Sequence, residues 1–185
     1  MRSVQEGGVL MDTKERGGLV TMKGNPVTLL GPELKVGDKA PGFRVVDAEF
    51  QPVTQADFKG KILLINVVPS LDTTVCALQT RRFNGAIANL PSDIAAITIS
   101  ADLPFAQKRY CEAEKITRMK VLSDHVWRDF GMNYGLLIKG MAILARVILI
   151  VNKKGRIEYK QLVPEITEHP DYDIALESIR EAIGE

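Results

Sequence analysis

Between Ile62 and Val68 the chain reads Ile-Leu-Leu-Ile-Asn-Val-Val, and the next residue is Pro69. A short apolar run bounded this way predicts a buried strand. Proline ends it, because it has no N–H to give to a sheet ladder. After Ser70 and Leu71, the residues Asp72, Thr73 and Thr74 supply N-cap candidates for a helix from about Val75. Cys76 therefore falls in the first turn of a helix that follows a strand. Unpaired N–H groups and the positive end of the helix dipole favour an anion there. A thiol so placed ionises more easily than a free one and becomes a nucleophile. The competing role for Cys76 is that of a small buried hydrophobe.

The rest of the chain arranges itself around this junction. Residues 1–21 are charged and broken by Gly7-Gly8 and Gly17-Gly18, and read as a flexible extension to a folded domain over 22–185. Val20 to Leu30 predicts a hairpin turning at Gly24-Asn25-Pro26. Short strands follow at 43–46 and 51–54, then a helical turn at 55–58 stopped by Gly60. The helix at Cys76 extends to about Asn89, with Phe83, Ile87 and Leu90 on one stripe, and Pro91 and Ser92 end it. Ile94 to Ser100 is the next strand, so strand–helix–strand predicts a parallel pair.

Asp102 is placed to cap a second helix with Pro104 near its start, carrying Tyr110 and Cys111. A strand at 119–122, a short helix at 126–130 containing the only Trp, and a loop from Gly131 to Gly140 come next. Ala142–Val151 reads as one long apolar strand, turning at Asn152–Gly155 into an antiparallel partner at 156–163. A last helix from about Asp171 turns Tyr172, Leu176, Ile179 and Ile183 to the core. A central parallel pair, an antiparallel hairpin and helices on both faces describe an α/β fold of the thioredoxin-like type, with an N-terminal β-hairpin.

With 185 residues, 45% of them hydrophobic, the chain can build one domain with a substantial core. A formal charge of +1 and no Lys/Arg stripe with interleaved aromatics argue against nucleic acid. The longest apolar run, Met141 to Val151, is interrupted by Arg146, so no membrane span is expected. Residues 1–21 lack the apolar core of a signal peptide, which points to the cytoplasm. Two cysteines are too few for a secreted disulfide scaffold, and a cytosolic disulfide is usually transient and catalytic. His125 and His169 lack ligand-like spacing to a cysteine, so neither a metal nor a cofactor is expected.

Three further residues bear on Cys76. Thr73 precedes it by three positions, within hydroxyl reach of the sulfur, or else is a simple N-cap. Pro69 shapes the loop and shields the sulfur, or only ends the strand. Arg146 needs an anion, because an unpaired charge in an apolar run is costly to bury. That anion is the thiolate, or a carboxylate such as Asp72, unless the side chain faces outward.

The pattern Pro69-x-x-x-Thr73-x-x-Cys76 resembles the active-site signature of the peroxiredoxins. Three blocks together are similar to the thiol peroxidase subfamily. They are Asn66 to Cys76, Ser100-Ala-Asp-Leu-Pro-Phe-Ala-Gln-Lys-Arg-Tyr-Cys111, and Gln161 to Tyr172. The resemblance implies hydrogen peroxide and organic hydroperoxides as substrates and Cys76 as the attacking thiol. It implies Arg146 facing the thiolate, and Cys111, 35 residues on, as the resolving thiol in an intramolecular disulfide. It also implies thioredoxin as reductant and a homodimer packed near the active-site loops. The apolar run Leu136-Leu137-Ile138 with Met141 is available for an organic-peroxide pocket or a dimer face. A redox sensor using the same two cysteines is the competing reading. The two differ in whether peroxide is turned over many times.

Overall fold

Strand β5, Ile62–Val67, is buried along its whole length, and the molecule is layered on its two faces. Side chains alternate across a strand. Leu63, Ile65 and Val67 enter one core with Phe43, Phe58, Phe130 and Tyr134. Ile62 and Leu64 enter a second core with Phe83, Ile148, Tyr172 and Ile179. The computed structural model describes residues 13–91 and 93–184, so the expectations for residues 1–12 and Ser92 lie outside the described residues.

The main sheet has seven strands. Around β5 are β6 (Ile94–Ser100), β7 (Lys120–Ser123), β9 (Val147–Val151) and β10 (Ile157–Leu162), with β3 (Arg44–Val46) and β4 (Pro52–Thr54) at one edge. Its order is β10-β9-β5-β6-β7-β3-β4. The pairs β5–β6 and β6–β7 are parallel, and β9 runs antiparallel to β5. Helices α1 (Thr74–Ala86), α2 (Pro104–Glu114) and α4 (Tyr172–Ile183) supply the second core, and α3 (Asp129–Asn133) the first. Asp171 caps α4, accepting from the N–H groups of Asp173 and Ile174. This is the expected thioredoxin-like α/β fold, a mixed sheet flanked by helices. Among the described residues no helix is long and apolar enough to cross a membrane.

The N-terminal hairpin is longer than its sequence pattern. Strand β1 runs Glu15–Met22 and β2 runs Asn25–Leu30. The boundary expected at residue 22 therefore falls inside a strand. Val20 is 2% exposed, and the buried Arg16 donates from Nε to Gly31 O and from Nη2 to Gly135 O. Backbones cross closely there: a Cβ on Gly135 would meet Pro32 O at 1.9 Å. The turn is Lys23-Gly24, both at positive φ, rather than Gly24-Asn25-Pro26.

Three other expectations need correction. The helix placed at 126–130 is α3, which starts at Asp129 and leaves Trp127 outside. The loop expected from Gly131 to Gly140 contains β8, Leu137–Ile138, which pairs with β2. Leu136 and Ile138 are 2% and 1% exposed, so this run fills the core, and only Met141 stands out at 46%. The strand expected from Ala142 starts at Val147, because Ala142 has φ +56° and Ala145 bonds back to Leu136 O.

Candidate active site

The site forms where β5 stops. Val68 still bonds to Ile99 O of β6, and Pro69, which is buried, turns the chain out of the sheet. Ser70 and Leu71 then meet Asp102 at the end of β6. Ser70 Oγ donates to Asp102 Oδ1 at 2.7 Å, and the Leu71 N–H donates to Oδ2 at 2.8 Å. Asp102 thus holds this loop and makes no capping bond to α2, whose N-cap is Leu103.

Thr73 occupies the N-cap position of α1, but its side chain makes no capping bond. Its hydroxyl lies 2.8 Å from Cys76 Sγ and 2.9 Å from Ser70 O. One proton serves both. The hydroxyl gives it to Ser70 O when the sulfur is a thiol, and to the sulfur when it is a thiolate. Cys76 is fully buried in the first turn of α1, which carries no acidic residue.

Arg146 comes from the loop just before β9 and is 1% exposed. Its Nη2 donates to Cys76 Sγ at 3.3 Å. Nε and Nη2 also donate to Ile166 O, at 3.0 and 2.8 Å, and Nη1 donates to Gln79 Oε1. Its recorded partners are thus two neutral acceptors and the sulfur, not Asp72. Guanidinium hydrogen bonds strengthen when the acceptor is an anion, so the fork is placed to hold a negatively charged oxygen beside the sulfur.

The support behind this contact was not evident as a motif. Gln79 Nε2 donates to Asn66 Oδ1, and Asn66 Nδ2 donates to Thr80 Oγ1 and Thr98 Oγ1. All four are fully buried. Two signals carry it in the sequence: Asn66 is the polar residue inside the apolar β5 run, and Gln79 follows Cys76 by three, on the same helix face.

Cys111 sits half-buried in α2, and both cysteines are free thiols. Burial, and secondarily the charge of Glu112, pushes the Cys111 thiol up to about 11. Its neighbour Tyr110 donates from Oη to Ala77 O at 2.7 Å, joining the Cys111 helix to the Cys76 helix. Thr73, Cys76 and Arg146 are therefore gathered at one place, with Pro69 buried where β5 ends, while Cys111 stands on the adjacent helix.

A family model described as Redoxin matches residues 35–176. A thiol peroxidase of Listeria innocua is 50% identical over 163 residues, covering 88% of this chain and 98% of that protein. The chain belongs to the thiol peroxidases, within the redoxin family. A thiol peroxidase of Bacillus subtilis is 46% identical over 161 residues, covering 87% of this chain and 96% of that one. The crystal structure of a peroxiredoxin-like protein from Aquifex aeolicus matches with a TM-score of 0.84 at 45% identity, over 90% of this chain and 98% of that one. Thiol peroxidase membership makes the chain an oxidoreductase of the peroxidase type on a thioredoxin-like fold.

Proposed function

We propose that Cys76 is the peroxidatic nucleophile of a thiol-dependent peroxidase that reduces hydrogen peroxide and organic hydroperoxides. The observation that carries this is the fully buried Cys76 sulfur held between the Thr73 hydroxyl and the Arg146 guanidinium. Thiolate sulfur attacks one oxygen of the peroxide. An S–O bond forms, the O–O bond breaks, and the other oxygen leaves as alkoxide or hydroxide and takes a proton. Arg146 and Thr73 supply hydrogen bonds where that charge develops. Pro69 walls the site and limits water.

The sulfenic acid on Cys76 is then captured by Cys111, releasing water and leaving a disulfide. The buried Cys111 thiol becomes a good attacking group once α2 loosens and exposes it, since burial is what disfavours its thiolate. An external dithiol, thioredoxin, returns both cysteines to thiols and carries away the disulfide. The protein works in the cytoplasm as a homodimer, as its family implies.

The test is peroxide-dependent NADPH oxidation with thioredoxin and thioredoxin reductase. Many turnovers in wild type, none in Cys76→Ser and none in Cys111→Ser support this cycle. A single oxidation without recycling, in thioredoxin and in dithiothreitol alike, favours a sensor instead.

A further inference from the structure

Asp102 is fixed on one side and grips on the other. Behind it, Ser100 Oγ donates to Oδ2 at 2.7 Å and Ser123 Oγ donates to its carbonyl at 2.5 Å. Ser100 Oγ in turn accepts from Gln107 Nε2 of α2 at 2.9 Å. Ser100, Ser123 and Gln107 are all buried, so this is a rigid post at the ends of β6 and β7. In front of it are the bonds from Ser70 Oγ and the Leu71 N–H. Ser70 O accepts from both the backbone N–H and the hydroxyl of Thr73, at 3.1 and 2.9 Å. One chain of contacts runs from Asp102 through Ser70 and Thr73 to the Cys76 sulfur.

The same contacts oppose the second chemical step. Capture converts Cys76–SOH and Cys111–SH into a disulfide and one water. It takes the Cys76 sulfur away from Thr73 and Arg146, and a disulfide holds its two Cα atoms within about 7 Å. Cys76 leaves those partners on the first turn of α1, and the segment feeding that turn is the one Asp102 grips.

We propose that Asp102 is a positioning residue for both halves of the cycle. It docks the Cys76 loop for attack on peroxide, and its hold on Ser70 and Leu71 sets how fast Cys111 captures the sulfenic acid. The proposal rests on the roles given above to Cys76 and Cys111. It predicts a split that a merely structural residue would not give: weakening the grip slows the first step and speeds the second.

The experiment is a single turnover of the full chain with hydrogen peroxide, quenched at intervals. Sulfenic acid is trapped chemically, and the Cys76–Cys111 disulfide is followed by mass spectrometry. Asp102→Asn keeps one acceptor oxygen and loses the other. It should lower the peroxide-dependent rate and raise the peroxide-independent capture rate, each roughly tenfold, the scale of one charge-assisted hydrogen bond. Ser70→Ala removes one bond to Asp102 and the Asp72 N–H bond to Ser70 Oγ, serves if Asp102→Asn does not fold, and should move both rates in the same senses by less. Two rates falling together, or capture unchanged in both variants, overturns the proposal. A wild-type protein that forms no Cys76–Cys111 disulfide overturns the Cys111 assignment itself, and is recognised before any variant is compared.

Discussion

Arg146 Nη2 lies 3.3 Å from the Cys76 sulfur, although the two residues are 70 positions apart in sequence. The arginine is almost wholly buried, and its remaining bonds go to the Ile166 carbonyl and the Gln79 side chain. A cation is thus held in place beforehand, facing the sulfur proposed above as the attacking thiolate.

Replacing it tests both roles of the charge. Arg146→Met should lower the rate with peroxide roughly a hundredfold or more, the scale of losing a preorganised donor. It should also destabilise the fold, because Ile166 O and Gln79 Oε1 lose a buried partner at about 1–3 kcal/mol each. Arg146→Lys keeps the charge without the fork and should fall between. Stopped-flow oxidation and thermal unfolding of the two variants check this. Wild-type rates in Arg146→Met would contradict it.

Thr73 separates capping from chemistry. An N-cap hydroxyl lost from a helix costs about 0.5–2 kcal/mol, but this one makes no capping bond. Thr73→Val should therefore leave thermal stability close to wild type while slowing peroxide reduction roughly a hundredfold. Thr73→Ser keeps the hydroxyl and should retain most activity. A large drop in melting temperature with unchanged peroxide kinetics would reverse the assignment.

Cys111 makes a statement about alkaline pH. Burial raises its folded value to about 11, above an unfolded value of about 8.5. The folded state therefore binds this proton more tightly. Its contribution to stability is complete below about pH 8.5 and is lost as pH rises through about 11. Denaturant unfolding should show wild type losing stability across that window more steeply than Cys111→Ala. Alkylation of Cys111 in the reduced native protein should stay slow at pH 8 and speed up when the chain is unfolded. Equal alkylation rates in the two states would count against burial as the cause.

The hairpin predicts the effect of trimming the N-terminus. A chain that begins at Met22 loses β1, the buried Val20 and the Arg16 bonds to Gly31 and Gly135. Burial of one such side chain contributes about 1.5–3 kcal/mol. Its melting temperature should fall by roughly 5 °C or more. An unchanged melting curve would show that β1 adds nothing to stability.

What the sequence made legible is what local patterning controls. The strand–proline–helix order that places Cys76 and the parallel β5–β6 pair follow from apolar runs and breakers between Ile62 and Ser100. Arg146 stood out because one charge in an apolar run demands a partner. Less visible were features decided by long-range backbone geometry. Ala142 adopts φ +56°, which shortens β9, and nothing in the apolar run announces it. The Leu136–Ile138 run resembled a sticky loop because its burial depends on β2, more than 100 residues earlier. Asp102 had the right position for a cap, yet its carboxylate found donors at Ser70 and Leu71, brought near by β-sheet pairing rather than by sequence. Asn66 and Gln79 are 13 residues apart, and meet because α1 packs back on β5.

The most direct measurement is the mass and peptide map of the protein after one equivalent of hydrogen peroxide, for wild type, Cys76→Ser and Cys111→Ser. Chemistry centred on Cys76 predicts that wild type loses two hydrogens and yields a linked Cys76–Cys111 peptide pair. It predicts that Cys76→Ser is unchanged and that Cys111→Ser gains one oxygen on Cys76. Oxidation of Cys76→Ser at the wild-type rate, or a wild-type product with no Cys76–Cys111 link, would contradict it.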